Sequence, residues 1–242
     1  LSDARAEGTN FGEATLSQAK LNRTQLRDSR FDEASLNEAS FDGAQLSSVS
    51  FIKAQCSLTK MEGARLDDAR LEGSVWRGAH IKNCSFQGAD LVRADFSEAQ
   101  IEGGEWAESQ WTELILEKAT LLSINAVGVQ AEKIQATDSS LTDVDLSGAR
   151  LNEADFSRGQ FTRCTLTDSH LNQATLRDAS LEESILKGAI LEGAKLDGVQ
   201  LSETLLTEAV LRGVHLQGVD LSECNFTNYD LSSANLDEVN LT

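Results

Sequence analysis

Proline is absent from all 242 residues, and no segment of low-complexity sequence interrupts the chain. Linkers between domains are usually rich in proline, glycine and serine, so the sequence predicts a single domain over residues 1–242. The chain starts without a methionine, and we expect it to be part of a longer protein. It has no apolar run long enough for a membrane span and no recognisable signal peptide, which favours a cytoplasmic location without membrane contact.

Residues suited to catalysis or metal binding are also scarce. The three histidines, His80, His170 and His215, are far apart in the sequence. Metal and phosphate sites need closely spaced ligands, yet the chain has no H-x-x-x-H pair, no C-x-x-C pair and no glycine-rich phosphate loop. We therefore expect no enzyme activity, no cofactor and no metal.

Positive charge is in short supply as well. The 21 Lys and Arg residues face 39 Asp and Glu residues, which gives a net charge of −18. Such a charge argues against direct binding to nucleic acid or to an anionic membrane surface. It leaves room for a basic protein partner, or for competition with DNA.

What the sequence has in abundance is a five-residue repeat that runs from Leu1 to Thr242 without an insertion or deletion. Counted from Leu1, all 49 first positions are apolar, and 37 of the 48 fourth positions are Ala, Ser, Thr, Cys or Gly. No charged residue occupies a first or fourth position. Two positions in five are therefore predicted to point inward, and three to face solvent.

A period of five matches neither an α-helix nor an ordinary β-strand. Of the 17 glycines, 14 stand at the third position, where Asp, Asn and Glu are also common. These residue types favour turns, and glycine adopts a positive φ without a Cβ clash. A chain that turns once every five residues, with one large and one small side chain inside each time, is predicted to wind as a coil.

The triplets at 89–91, 94–96 and 154–156 read A-D-L, A-D-F and A-D-F. With this motif the sequence resembles the pentapeptide-repeat family over essentially its whole length. The resemblance implies an all-β fold, a right-handed quadrilateral β-helix with about 12 coils of 20 residues. Coils about 4.8 Å apart make a rod roughly 58 Å long. We expect such a convex rod to offer no deep pocket.

The interior positions suggest how volume is balanced between coils. Phe11, Phe31 and Phe51 should stack in successive coils, and Cys56 makes room for Trp76 in the next coil. Coils six and seven, residues 101–140, are atypical. Three first positions of coil six hold large residues, Trp106, Trp111 and Leu116. The residues 20 positions later are alanines, Ala126, Ala131 and Ala136. The fourth positions of coil seven are large instead of small: Ile124, Val129 and Ile134. We interpret this as one volume-conserving repacking.

Only six of the 48 fifth positions are apolar, and four of the six fall in coils ten and eleven. They form two predicted vertical pairs, Ile185 with Leu205 and Ile190 with Val210, which flank the same face next to each other around the rod. Exposed apolar patches often mark partner sites. The hypothesis is a docking surface for a protein partner or a second copy. The alternative is that neighbouring outward side chains merely cover one another.

Coil six also carries an excess of carboxylates, which indicates either an acidic recognition band or an ordinary solvated surface. Its members are Glu102, Glu105, Glu108, Glu113 and Glu117. The acidity of the whole chain is nevertheless spread around the rod, because each of the four sets of pentapeptides carries between −3 and −6.

Two functional interpretations follow. The first is a non-catalytic structural or interaction module that presents a rigid acidic rod to a protein partner of unknown identity. The second comes from the resemblance, since some family members are acidic rods that mimic duplex DNA, bind DNA gyrase and protect it from quinolone drugs. In those members a dimerising C-terminal element is present, and many have a projecting loop. Neither is visible in this sequence.

The remaining unusual residues receive structural interpretations. Cys56, Cys84, Cys164 and Cys224 occupy inward positions too far apart for disulfides, so we expect buried free thiols and a reducing compartment. Tyr229, the only tyrosine, should displace its backbone or cap the end of the rod. The end coils should expose strand edges that flanking domains or other subunits cover.

Overall fold

The computed structural model describes residues 1–201, 203–222 and 229–240. Parallel β-bridges join residues 20 apart, from Arg5 with Gln25 to Asp220 with Asn240. This offset confirms the 20-residue coil and an all-β parallel solenoid. The described part of the chain contains no helix, and so none long and apolar enough to span a membrane.

Most pentapeptides of the described chain fold as a β-turn. The N–H of the fourth residue donates to the carbonyl of the first, as between Ala34 and Phe31 at 3.1 Å. The third residue has a positive φ, whether it is glycine, as in Gly43 at 65°, or not, as in Glu33 at 58°. A positive φ at this position defines the type II turn, and it explains why glycine accumulates there.

The turns are the corners of the rod, and the fifth-position residues are the centres of its sides. With the exception of Asp230, each described fifth-position residue lies in a short extended segment that is bridged to a neighbouring coil, and in the interior of the rod usually to the coils above and below. We call the sides A, B, C and D; they contain the fifth-position residues that follow Arg5, Asn10, Thr15 and Lys20, respectively, at intervals of 20. The middle of a pentapeptide therefore turns the chain, and each side of the rod joins the end of one pentapeptide to the start of the next.

One corner departs from the pattern in six consecutive coils, and we call it the open corner. There the chain continues from side D as six parallel strands, which pair in sequence order with an offset of 20. The strands are β1 (Lys60–Glu62), β2 (His80–Ser85), β3 (Gln100–Glu105), β4 (Thr120–Leu122), β5 (Ser140–Thr142) and β6 (Gln160–Thr162).

Two cysteines satisfy backbone carbonyls at the open corner. The thiol of Cys84 donates to the oxygen of Met61 at 3.6 Å, and that of Cys164 to the oxygen of Leu141 at 3.4 Å. Both carbonyls belong to first-position residues, which elsewhere accept the turn hydrogen bond. These two cysteines and Cys56 are buried free thiols, as predicted, whereas Cys224 lies outside the described residues.

The interior follows the predicted register. First- and fourth-position side chains from Leu21 to Leu201 form one buried core. The rings of Phe11 and Phe31 stack at 4.8 Å, and those of Phe31 and Phe51 at 5.2 Å.

The repacking of coils six and seven is also confirmed. Trp106 and Trp111 are 2% and 3% exposed, while Ala126 and Ala131 in the next coil are fully buried. The two indoles meet edge to face at 5.9 Å, beside a residual cavity of about 10 Å³. Neither indole N–H has a hydrogen-bond acceptor within the described structure. Desolvation of these two N–H groups therefore lowers the stability of this part of the core, whereas the Phe stack buries no such polar group.

Tyr229 reaches back along the rod. Its side chain is half-buried against the core, and its hydroxyl donates to the carbonyl of Leu206 at 2.5 Å. Asp230, directly after it, is the one fifth-position residue in the described chain that is not part of a bridge or strand. The tyrosine and a local departure of the backbone therefore occur together, as the sequence predicts.

Candidate functional site

The four outward apolar residues of coils ten and eleven pair along the rod. Ile185 is bridged to Leu205 on side A, and Ile190 to Val210 on side B. Both predicted vertical pairs therefore exist.

The two pairs do not share a flat surface. Between them lies a corner formed by the turns at 186–189 and 206–209, with the hydrogen bond from Ala189 N–H to the oxygen of Leu186 at 3.1 Å. A flat partner contacts one pair or the other, and a partner that contacts both must wrap the corner. This corrects the expectation that the pairs flank a single face.

Exposure differs within each pair. Leu205 is 55% exposed and Val210 is 41% exposed, whereas Ile185 and Ile190 are half-buried. The coil-eleven residues therefore offer most of the apolar surface, and the isoleucines support them from the adjacent coil.

The acidic band of coil six encircles the rod. Glu102 lies at the open corner, Glu105 on side A, and Glu108, Glu113 and Glu117 at the three other corners. A partner on one side therefore cannot reach all five carboxylates.

Some of these carboxylates are already engaged. Glu102 accepts an ion pair from Lys82 at 2.9 Å, and the hydrogen bond of this pair raises the pKa of Lys82. Glu105 accepts a hydrogen bond from the Asn125 amide at 2.6 Å. Such exposed contacts contribute little stability.

Contacts between outward residues 20 apart recur along the rod. Arg158 forms a two-pronged ion pair with Asp138, and Arg163 with Asp143, each with a closest distance of 2.8 Å. Hydrogen bonds from these arginines lower the pKa of both aspartates. Outward side chains are thus organised in columns, with the neighbouring coil as the first partner.

A groove of about 530 Å³, which the sequence did not predict, runs along the open corner. It is lined by Met61, Ile81 and Ile101 together with other residues of β1 to β4. This groove is partly open to solvent, and it does not contradict the expectation that the rod offers no deep pocket. Within the groove, His80 is paired with Lys60 and Gln100 in the strand register, and so it does not sit beside a nucleophile.

A signal for this groove was present at the fourth positions. From coil five onward every fourth position of this corner differs from the usual alanine: Cys84, Gly104, Ile124, Val144, Cys164, Ser184, Thr204 and Cys224. The signal is partial, because β1 precedes Ala64 and the column remains non-alanine beyond β6.

Comparison with known families agrees with the repeat. The profile described as Pentapeptide repeats matches in eight copies, over residues 1–37, 29–68, 64–103, 134–168, 164–202 and 204–242. The internal gap at 104–133 coincides with the repacked coils six and seven. No match to a curated protein reaches significance.

Solved structures with the same architecture include a trypsin-treated form of QnrB1, a plasmid-mediated fluoroquinolone resistance protein. It is 23% identical, with a TM-score of 0.54, covering 81% of this chain and 88% of that one. HetL, a pentapeptide repeat protein involved in heterocyst differentiation regulation from the cyanobacterium Nostoc sp. strain PCC 7120, is 21% identical with a TM-score of 0.43, covering 87% and 90%.

At these identities the likeness to QnrB1 concerns the fold alone, whereas the sequence profile covers well over half of the chain. The chain belongs to the pentapeptide repeat family.

Proposed function

We propose that this chain is a non-catalytic interaction module, a rigid acidic rod that binds a protein partner through the outward apolar pairs of coils ten and eleven. The observation that carries the proposal is the exposure of Leu205 and Val210 at side centres, where most other residues are polar. Exposed apolar side chains that adjoin one another are typical of interaction sites. The three buried thiols fit a reducing compartment such as the cytoplasm.

The experiment compares proteins captured by the wild-type chain and by the double variant Ile190→Ser, Leu205→Ser, which removes one apolar residue from each pair. We expect the variant to lose specific partners while its thermal midpoint stays nearly unchanged. Identical captured proteins, quantified by mass spectrometry, would overturn the proposal.

A matched control is available in coil seven. Leu122 and Val127 are outward residues with 37% and 39% exposure, comparable with Val210, but they lie far from coils ten and eleven. The variant Leu122→Ser, Val127→Ser should retain every partner that the wild type captures.

A second candidate function is competition with DNA for DNA gyrase or a related topoisomerase. The net charge of −18 and the carboxylates around coil six favour it, and QnrB1 has the same fold. Its test is a gyrase supercoiling assay with and without a fluoroquinolone. Dose-dependent inhibition or drug protection at stoichiometric protein supports this function, and no effect at excess protein refutes it.

A further inference from the structure

Side B has a distinctive surface at coils ten and eleven. Its centre column reads His170, Ile190, Val210 and Asp230, so that two apolar residues lie between a basic and an acidic type. Three of the four turns beside the apolar pair have glycine at the third position: Gly188, Gly193 and Gly213. Because glycine has no side chain, these three turns project little from the surface of the rod.

Charges of opposite sign occupy the corners on both edges of this surface. On the edge shared with side A, Lys187 of coil ten is followed by Glu208 of coil eleven. On the edge shared with side C the order is reversed, with Glu192 in coil ten and Arg212 in coil eleven. All four are exposed, and together they form a checkerboard around Ile190 and Val210.

Two of these charges form no ion pair with another described residue. Arg212 and Glu192 are 3.9 Å apart, whereas Lys187 and Glu208 take part in no ion pair in the part of the chain that the structure describes. A checkerboard of charges with one unpaired edge, beside an exposed apolar pair, is complementary to the same surface of a second copy rotated by half a turn.

A two-fold axis perpendicular to the rod, between coils ten and eleven, brings coil ten of one copy opposite coil eleven of the other. Ile190 then faces Val210 of the second copy, Lys187 approaches Glu208, and Glu192 faces Arg212. The same rotation brings His170 to the level of Asp230. A parallel arrangement would also pair opposite charges at the edges, but it would place Asp230 against Asp230. The antiparallel arrangement is therefore favoured, because like charges across an interface are unfavourable.

From these observations we infer that side B of coils ten and eleven binds a second copy of this chain, antiparallel and side by side. The inference rests on the proposed function, since it names the occupant of one of the two apolar pairs. Side A does not share the property. Its outer corner carries Glu182 and Glu183 in coil ten and Glu203 in coil eleven, which the same rotation would bring together.

Analytical ultracentrifugation of the whole chain over a concentration series tests the inference. At physiological salt the screening length is about 8 Å, so the repulsion between two rods of net charge −18 is confined to close range. We expect a reversible dimer, which Ile190→Ser with Val210→Ser reduces to monomer. Leu122→Ser is the control, and it should leave the dimer unchanged.

Charge reversal provides the sharper measurement, because it changes only exposed side chains. Lys187→Glu alone and Glu208→Lys alone should each weaken dimerisation roughly 10-fold, since either change makes two attractive contacts repulsive. The double reversal should restore the dimer to within about threefold of the wild type. Failure of the double variant to recover would overturn the antiparallel arrangement, because in a parallel dimer these residues face Glu192 and Arg212 instead.

The outcomes separate this inference from the proposed function. A chain that stays monomeric up to about 1 mM overturns self-association. If that monomeric chain still captures proteins that the Ile190→Ser, Leu205→Ser variant loses, the proposed function stands without the dimer. If the dimer forms and responds to charge reversal while the captured proteins do not change, the self-association surface stands and the wider partner proposal fails.

Discussion

Replacing Gly104 with alanine should be among the most damaging small changes in this protein. Gly104 lies in β3, opposite Cys84 of β2, with a φ of +105°. A Cβ built on Gly104 would lie 2.1 Å from the carbonyl oxygen of Cys84 and 3.1 Å from its carbonyl carbon and amide nitrogen. These are backbone atoms held in the strand ladder, so they cannot rotate away as the end of a side chain would.

The cost has two sources. Holding a residue with a Cβ at such a φ costs about 1–3 kcal/mol, and overpacking adds about 1–3 kcal/mol, so Gly104→Ala should lower the free energy of unfolding by about 2–6 kcal/mol. The control is Gly148→Ala. Gly148 has a φ of +65° and nothing within 4 Å of an added Cβ, and non-glycine residues such as Glu153 adopt nearly the same φ, 58°, at equivalent positions. That change should cost no more than about 1 kcal/mol.

Urea unfolding of the two variants and the wild type, followed by circular dichroism, measures both costs. A large difference between the variants supports the view that the open corner depends on close backbone contact. Equal stability of Gly104→Ala and Gly148→Ala would refute the reasoning, because the same chemical change would then be insensitive to the 2.1 Å contact.

Three further predictions concern the interior and the surface. Ala131→Leu should destabilise the protein by about 1–3 kcal/mol through overpacking, and Trp111→Leu in the same chain should recover part of that loss; strict additivity in the unfolding free energies would show that the two sites do not touch. Burial raises the pKa of Cys84 from 9.0 to about 11. Because the thiol ionises more readily in the unfolded chain, its contribution to the free energy of unfolding is fully present below pH 9 and is lost as the pH rises from 9 to 11. Urea unfolding across that range should show a shallower decline for Cys84→Ala, and identical slopes would contradict the assignment. Leu151→Asp places an unpaired charge in the core and should cost several kcal/mol, whereas the exposed Glu153→Gln should stay within about 0.5 kcal/mol of the wild type, as measured by thermal unfolding.

The interior was predictable because the five-residue register acts on every coil in the same way. A large and a small residue alternate inward, and Phe31 stacks on Phe11 because both occupy the same column. The exchange of volume between Trp111 and Ala131 was predictable for the same reason, since close packing ties each coil to the next. What the register could not supply was the orientation of the indole N–H groups, which depends on rotamers.

The outer surface was harder to predict, because a period of five does not say where in the pentapeptide the chain turns. Turn residues at the third position indicate a corner, but only the hydrogen bond between residues four and one, as in Ala189 to Leu186, separates corners from sides. Without that distinction the four apolar residues looked like one patch. The groove at the open corner was missed because its lining comes from equivalent residues of several successive coils, and not from any single pentapeptide.

The same physical chemistry explains why functional information concentrates in the outward positions. An inward residue is constrained by the coils on both sides, so a change there alters packing before it alters recognition. An outward residue contacts residues 2, 18 or 20 positions away, and many of these contacts are exposed to solvent. Two successive apolar residues in a column, such as Ile190 and Val210, therefore gain little for the interior, yet they change what the rod presents to solvent. The corners beside this pair carry Lys187 and Glu208 in successive coils, so the outward surface changes here without any change in the register of the interior.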